Sequence, residues 1–219
     1  MPLVQSPASE APTDRATDGG LTGQARKRPK PGERRVQILQ ALASMLEQPG
    51  AERITTATLA AHLEVSEAAL YRHFASKAQM YEGLLDYIEQ AVFSLINQIA
   101  EREIETTPTE RAGKVIHMVM QFSEKNPGLS RVMVGDALVF ENARLQQRMN
   151  LFFDKVEASL KQMLQVYPAV LASATPTVDA QVRASLLSAF MVGRLQRFVR
   201  SSFKRKPSEN LAASLFLVL

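Results

Sequence analysis

The side chains best suited to grip a charged ligand lie in one short stretch, Arg53 to Lys77. Thr55 and Thr56 are neighbouring hydroxyls; Ser66, Glu67 and Ala68 open a helical segment; Tyr71, Arg72, His73 and Lys77 follow in close succession. Hydroxyl, imidazole, guanidinium and ammonium donors hydrogen-bond phosphate oxygens and fix a protein on a duplex, while a few side chains at the front of a helix reach base edges. Each residue also has a plainer role. Thr55 and Thr56 make good caps, Tyr71 packs half-buried, His73 suits a helix C-terminus, and Arg72 and Lys77 are solvated. Their collection in one stretch is what points to phosphate.

Other chemistries find no support. The chain has no Cys, which excludes disulfides, thiolate catalysis and zinc ribbons and fits a reducing compartment. Its three histidines, His62, His73 and His117, fall in different helical segments without ligand spacing. No Gly-rich phosphate loop and no Ser/His/Asp grouping is present. No enzyme activity, metal site or cofactor is expected. The net charge of +4 is modest, but it is gathered in two clusters. One runs from Arg26 to Arg35; the other comprises Arg194, Arg197, Arg200, Lys204, Arg205 and Lys206. A charge run is usually a solvated face. No apolar run approaches the roughly 20 residues that span a bilayer, and the N-terminus lacks a signal-peptide pattern, so a cytoplasmic location is expected.

The elements that position Arg53–Lys77 read as helices throughout, giving an all-α chain. Residues 1–31 are rich in Pro, Ser, Thr and Gly, and their basic end suits a disordered tail that touches phosphates. A first helix is expected over 32–48, with Val36, Leu39, Ala43 and Leu46 as its apolar stripe, ended by Pro49-Gly50. Two short helices follow, from Thr55-Thr56 to about Leu63 and from Ser66 to about Phe74. Leu59, Ala60, Leu63, Val65, Leu70 and Phe74 can form their shared core. Glu67, Ala68, Tyr71 and Arg72 then face outward, the layout of a helix-turn-helix whose second helix enters the major groove. Ser76 and Gln79 match a capping box for a long helix to about Arg102, with a stripe of Met80, Leu84, Tyr87, Ile88, Ala91, Leu95 and Ile99. A second box, Thr107 to Glu110, opens a helix that stops near Lys125, because Asn126 precedes a proline. A short helical piece from Leu129, one or two helices over 138–166, a long helix over 178–203 and a short one over 209–217 complete the chain. The expected units are the tail 1–31, a DNA-binding domain 32–78 and a helical domain 79–219.

The pattern Leu59-Ala-x4-Val65-Ser66-x3-Leu70-Tyr71-x-His73-Phe74-x-Ser76-Lys77 resembles the signature of the TetR family of regulators. That resemblance implies three N-terminal helices that bind DNA and a larger helical domain that dimerises through its last two long helices. Further runs resemble one branch of the family, the nucleoid occlusion proteins: Arg53-Ile-Thr-Thr-Ala-x-Leu-Ala-Ala, Val65 to Phe74, Asn126-Pro-Gly-Leu129, Ala137-Leu-x-Phe140-Glu141, Leu145-Gln-x-Arg148 and Arg197-Phe-Val-Arg-Ser-x-Phe-Lys204. The branch implies a homodimer on pseudo-palindromic sites of the nucleoid that, once bound to DNA, antagonises polymerisation of the tubulin-like division protein FtsZ. The family's match around Asn126 suggests a partner surface of Tyr87, Lys125, Asn126 and Leu129. Helices around Leu151–Leu164 and Leu186–Phe198, with Leu160, Leu186, Phe190 and Phe198, are the expected dimer interface.

Two departures stand out. Glu64 holds the turn position where the family often has Gly; at positive φ it costs on the order of 1 kcal/mol. Thr58 stands where a basic residue would face phosphate. The rival to nucleoid occlusion is a repressor released by a small inducer, whose cavity would be lined by Met118, Phe122, Met133, Phe140 and Phe190.

Overall fold

The computed structural model describes residues 32–48, 53–102, 106–167 and 172–219. The tail 1–31 and the Pro49-Gly50 stop lie outside the described residues. Among the described residues, nine α-helices run in chain order: α1 Glu33–Glu47, α2 Thr56–His62, α3 Glu67–Tyr71, α4 Lys77–Arg102, α5 Pro108–Lys125, α6 Pro127–Met133, α7 Ala143–Leu164, α8 Pro176–Arg200 and α9 Leu211–Val218. A 3-10 turn, Asp136–Leu138, links α6 to α7. Among the described residues there is no strand.

Local chemistry sets most of the boundaries. Thr107 and Glu110 form the reciprocal box at the start of α5, with Pro108 in the first turn. At the start of α4 the reciprocity is shifted by one residue. Ser76 Oγ accepts from Gln79 N–H at 3.2 Å, but the Gln79 side chain accepts from Ala75 N–H at 2.6 Å. The chain leaves α5 at Asn126, whose Nδ2 donates to the Phe122 carbonyl at 2.7 Å. It re-enters helix at Pro127, two residues earlier than the sequence suggests. Gly128 explains the close docking that follows: a Cβ there would lie 2.0 Å from the Ala43 carbonyl oxygen. Only a residue without a side chain lets α6 press on α1 in this way.

Tertiary packing moves two of the expected apolar faces and chooses between two on a third helix. On α1 the buried residues are Ile38, Ala41, Leu42 and Leu46, and Val36 is 52% exposed. On α4 the buried face runs through Met80, Tyr81, Leu84, Leu85, Ile88, Val92 and Ile96, leaving Tyr87 and Leu95 exposed. On α8 Ala184, Leu187, Met191 and Leu195 point inward, while Val182 and Leu186 face out. All three helices are apolar over more than one face, so periodicity alone admits either stripe. On α7 one stripe, Leu145, Met149, Phe152, Val156, Leu160, Met163 and Leu164, is buried.

Helix α4 ties the molecule together. Its first turn follows α3, and its body packs on α5 and α7. Arg148 of α7 clamps it, with Nη2 2.6 Å from Asp86 and Nε 3.0 Å from Glu89. Hydrogen bonding to Glu89, more than to Asp86, raises the Arg148 pKa above the ordinary guanidinium value.

Candidate nucleic-acid interface

Thr55 caps α2 by accepting from Thr58 N–H at 3.1 Å, and the Thr58 hydroxyl accepts from Thr55 N–H at 3.0 Å. Thr58 therefore has a structural task at the position where the family resemblance implies a phosphate-facing cation. The turn between α2 and α3 reverses the chain through Glu64 at φ +54°, and it is closed by Val65 N–H donating to the Ala60 carbonyl at 3.0 Å. The positive φ anticipated for Glu64 is present. Ser66 then caps α3 by accepting from Ala69 N–H. Leu59, Ala60, Leu70 and Phe74 are buried between the helices, and Leu63 and Val65 are half-buried beside them.

That core leaves Glu67, Ala68, Tyr71, Arg72 and His73 exposed on α3 and its end. Three side chains meet there. Thr56 Oγ1 donates to Glu67 Oε2 at 2.6 Å, and the Tyr71 hydroxyl lies 3.5 Å from Thr56 Oγ1. The hydroxyl of Thr56 is thus turned toward a carboxylate, and Glu67 is held at the front of the helix.

Lys77 has an unexpected partner. Its Nζ lies 2.5 Å from Glu141 Oε1, on the segment that leads into α7. Glu141 is only 10% exposed and Lys77 27%. Tyr81 is buried beside the pair, with Lys77 Nζ 5.7 Å from its ring centroid. Burial, and then the Glu141 charge, push the Tyr81 hydroxyl pKa well above its ordinary value. No local pattern signals this pair, because its partners are 64 residues apart. Arg35 was likewise seen only as part of a basic run. Its Nη1 donates to the His73 carbonyl at 2.9 Å, and its guanidinium stacks 4.1 Å from the Phe74 ring centroid. It fastens α1 to the end of α3.

Outside this unit, Tyr87, Asn126 and Leu129 line one groove of about 380 Å³ together with Val36, Leu39, Ala43 and Leu84. Lys125 is exposed next to Asn126. The groove lies between α1 and the helices α4 and α6. The residues expected at a dimer interface separate. Leu160 and Phe198 are buried in the chain's own core, so they offer no outer surface. Phe190 is half-buried beneath the Arg194 guanidinium, 4.7 Å from its ring centroid. Leu186 is exposed, and with Val178 and Val182 it makes an outward apolar stripe on α8; Leu151 is exposed on α7. Of the five residues expected to line an inducer cavity, Met118, Phe122, Met133 and Phe190 lie in or against the core, and Phe140 does not. Phe140 is 70% exposed, Phe122 packs near Tyr87, and Met133 Sδ receives the Ser123 hydroxyl.

Comparison with known proteins gives two family matches. Residues 38–84 match the model of bacterial regulatory proteins of the tetR family. Residues 107–218 match a SlmA-like domain described as tetracyclin repressor-like, C-terminal. The nucleoid occlusion factor SlmA of Shewanella frigidimarina is 49% identical over 177 residues, 81% of this chain and 88% of that one. That of Vibrio atlanticus is 49% identical over 181 residues, covering 82% and 91%. Among solved structures, the transcriptional regulator FadR from Bacillus subtilis, in complex with stearoyl-CoA, aligns with a TM-score of 0.65 at 16% identity, covering 84% of this chain and 96% of that one. NalD from Pseudomonas aeruginosa, a repressor of a multidrug efflux pump, aligns at 0.64 and 17% identity, covering 85% and 97%. These two likenesses concern the fold alone.

Proposed function

The chain belongs to the TetR family, in the branch of the nucleoid occlusion factor SlmA, and on that premise we propose that it acts on the nucleoid, in the cytoplasm, as a homodimer that antagonises FtsZ assembly from specific duplex sites. A member of this branch is a DNA-binding regulator and not an enzyme.

On the duplex, Thr55, Tyr71, His73 and Lys77 hold phosphates. Ser66 acts through its cap, which aims the front of α3 at the major groove. Arg72 suits guanine, with two donors for O6 and N7; Glu67, oriented by Thr56, suits the amino group of cytosine; Ala68 permits close approach. A two-fold protein calls for a pseudo-palindromic site. The outward stripe Val178, Val182 and Leu186 supplies the self-complementary contact.

The observation that carries the FtsZ reading is the apolar groove between α1 and α4–α6. One wall belongs to the DNA-binding unit and the other to the helical domain, so a bound segment senses both. Binding of DNA at α3 and Lys77 then biases the groove by shifting the balance between two arrangements of α4. Light scattering of FtsZ assembly, with the protein alone and with palindromic DNA, tests this. DNA-dependent inhibition is expected, lost in Tyr87→Ala and Lys125→Glu, with DNA affinity kept. Inhibition that ignores DNA, or variants that lose both activities together, would count against it.

A further inference from the structure

The basic residues near the C-terminus have no part in this account, and the fold does something specific with them. Arg194, Arg197, Arg205 and Lys206 line one cleft of about 350 Å³, with Pro207, Glu209, Asn210 and Ser214. Four cations face one carboxylate. None of the lining residues belongs to α1, α2 or α3.

The frame of the cleft is fixed. Arg194 Nη1 donates to the carbonyls of Pro207 at 3.0 Å and Glu209 at 2.5 Å, and Nη2 donates to Ser214 Oγ at 2.7 Å. That guanidinium closes the 201–210 loop onto α8 and α9. Ser208 N–H donates to Glu124 Oε1 at 2.9 Å, which anchors the loop to α5. Ser202, Phe203 and Asn210 all lie in the left-handed region, at φ +50°, +64° and +52°. Non-glycine residues in that region are each disfavoured, and they persist only where the surroundings enforce them. Burial, and then the charge of Arg197, depress the Arg194 pKa, against an opposing pull from Glu209. Arg194 uses its Nη donors on the frame. Among the described residues, the side chains of Arg197, Arg205 and Lys206 have no hydrogen-bond acceptor or ion-pair partner. Three unspent cations therefore surround a polar hollow whose walls are already ordered.

We propose that this cleft is a binding site for a small anion carrying phosphate groups, gripped by Arg197, Arg205 and Lys206 over a frame built by Arg194. Guanidinium groups pair with phosphate in a bidentate manner, and charge-assisted hydrogen bonds of this kind are about twice as strong as neutral ones. A hollow of this volume takes a diphosphate with room for an attached organic group. The site is independent of the FtsZ reading and survives its failure.

Isothermal titration of the full chain with inorganic pyrophosphate tests the site. One saturable site per chain is expected, weakened at least tenfold in Arg205→Glu/Lys206→Glu and several-fold in Arg197→Gln, and weakened further by added salt. Sedimentation and circular dichroism check each variant for dimerisation and folding; if the double variant misfolds, Arg197→Gln decides. No saturable binding, or binding unchanged in the variants, overturns the proposal. Displacement of pyrophosphate by operator DNA would put the anion on the DNA face and overturn it too. Vesicles of phosphatidylglycerol separate the two sources of phosphate. Competition between vesicles and pyrophosphate identifies the cleft as reached by a headgroup as well; vesicle binding without any pyrophosphate binding overturns the proposal.

Discussion

Lys77 shows how a single pairing alters the reading of a residue. By type and position it is a phosphate donor, yet in the free chain it is committed to Glu141. A DNA phosphate has to compete with that carboxylate. Glu141→Gln is expected to strengthen operator binding several-fold and to steepen its salt dependence, because it releases one more cation for phosphate. Fluorescence anisotropy across a salt series reads both. A loss of affinity as large as that of Lys77→Ala would mean instead that Glu141 holds Lys77 in place. A second residue-scale test concerns the start of α5. The Thr107 backbone N–H, and then its hydroxyl, hydrogen-bond Glu110 and lower its pKa. A lowered carboxylate pKa favours folding above the unfolded value, and that contribution is lost as pH falls through the folded value. Thr107→Ala removes the weaker of the two bonds. The Glu110 pKa should therefore move part of the way back toward the ordinary range in an NMR titration.

Among the elements, two backbone positions decide how helices meet. Gly128 lies under α1, where an added methyl group would strike the Ala43 carbonyl. Gly128→Ala should destabilise the fold by about 1–3 kcal/mol, as overpacking does, and should deform the groove lined by Leu129. Urea denaturation measures the first effect. Glu64, by contrast, holds a positive φ on a residue that carries a Cβ. Glu64→Gly should raise stability by about 1 kcal/mol and leave operator affinity unchanged; a lower midpoint would show that Glu64 makes a contact worth more than the strain. Asn-Pro-Gly reads in sequence as a simple helix stop. The stop is there, but the glycine serves a different purpose, since α1 is more than eighty residues away along the chain.

For the whole molecule, the proposed reading links dimerisation and DNA binding through α4, α7 and α8. Arg148 joins α4 to α7, and α7 packs along α8, whose outer stripe remains uncovered in one chain. Val182→Glu/Leu186→Glu places two carboxylates in that stripe. Sedimentation velocity at micromolar concentration should then show a monomer, with operator affinity reduced at least tenfold because half-sites are no longer held in pairs. A stable dimer in this variant would move the interface to another face.

The sequence by itself determined the helical class, the helix boundaries marked by Thr107, Pro127 and Ser66, the small core of Leu59, Ala60, Leu70 and Phe74, and the outward set on α3. These depend on short-range hydrogen bonds and on periodicity within one or two helices, which neighbouring residues encode. Tertiary structure decided which stripe of α1, α4 and α8 turns inward, because each helix is apolar on more than one face. It also decided that Leu160 and Phe198 are interior while Val178, Val182 and Leu186 are not. Only the folded chain pairs Lys77 with Glu141, or gathers Arg194, Arg197, Arg205 and Lys206 around one hollow. Such contacts join residues far apart in sequence or across a loop, where local pattern carries no information. The donors at Arg53–Lys77 announce the chemistry; Thr55, Thr56 and Tyr71 find their partners inside the stretch, whereas Lys77 is committed to Glu141, which the stretch does not contain.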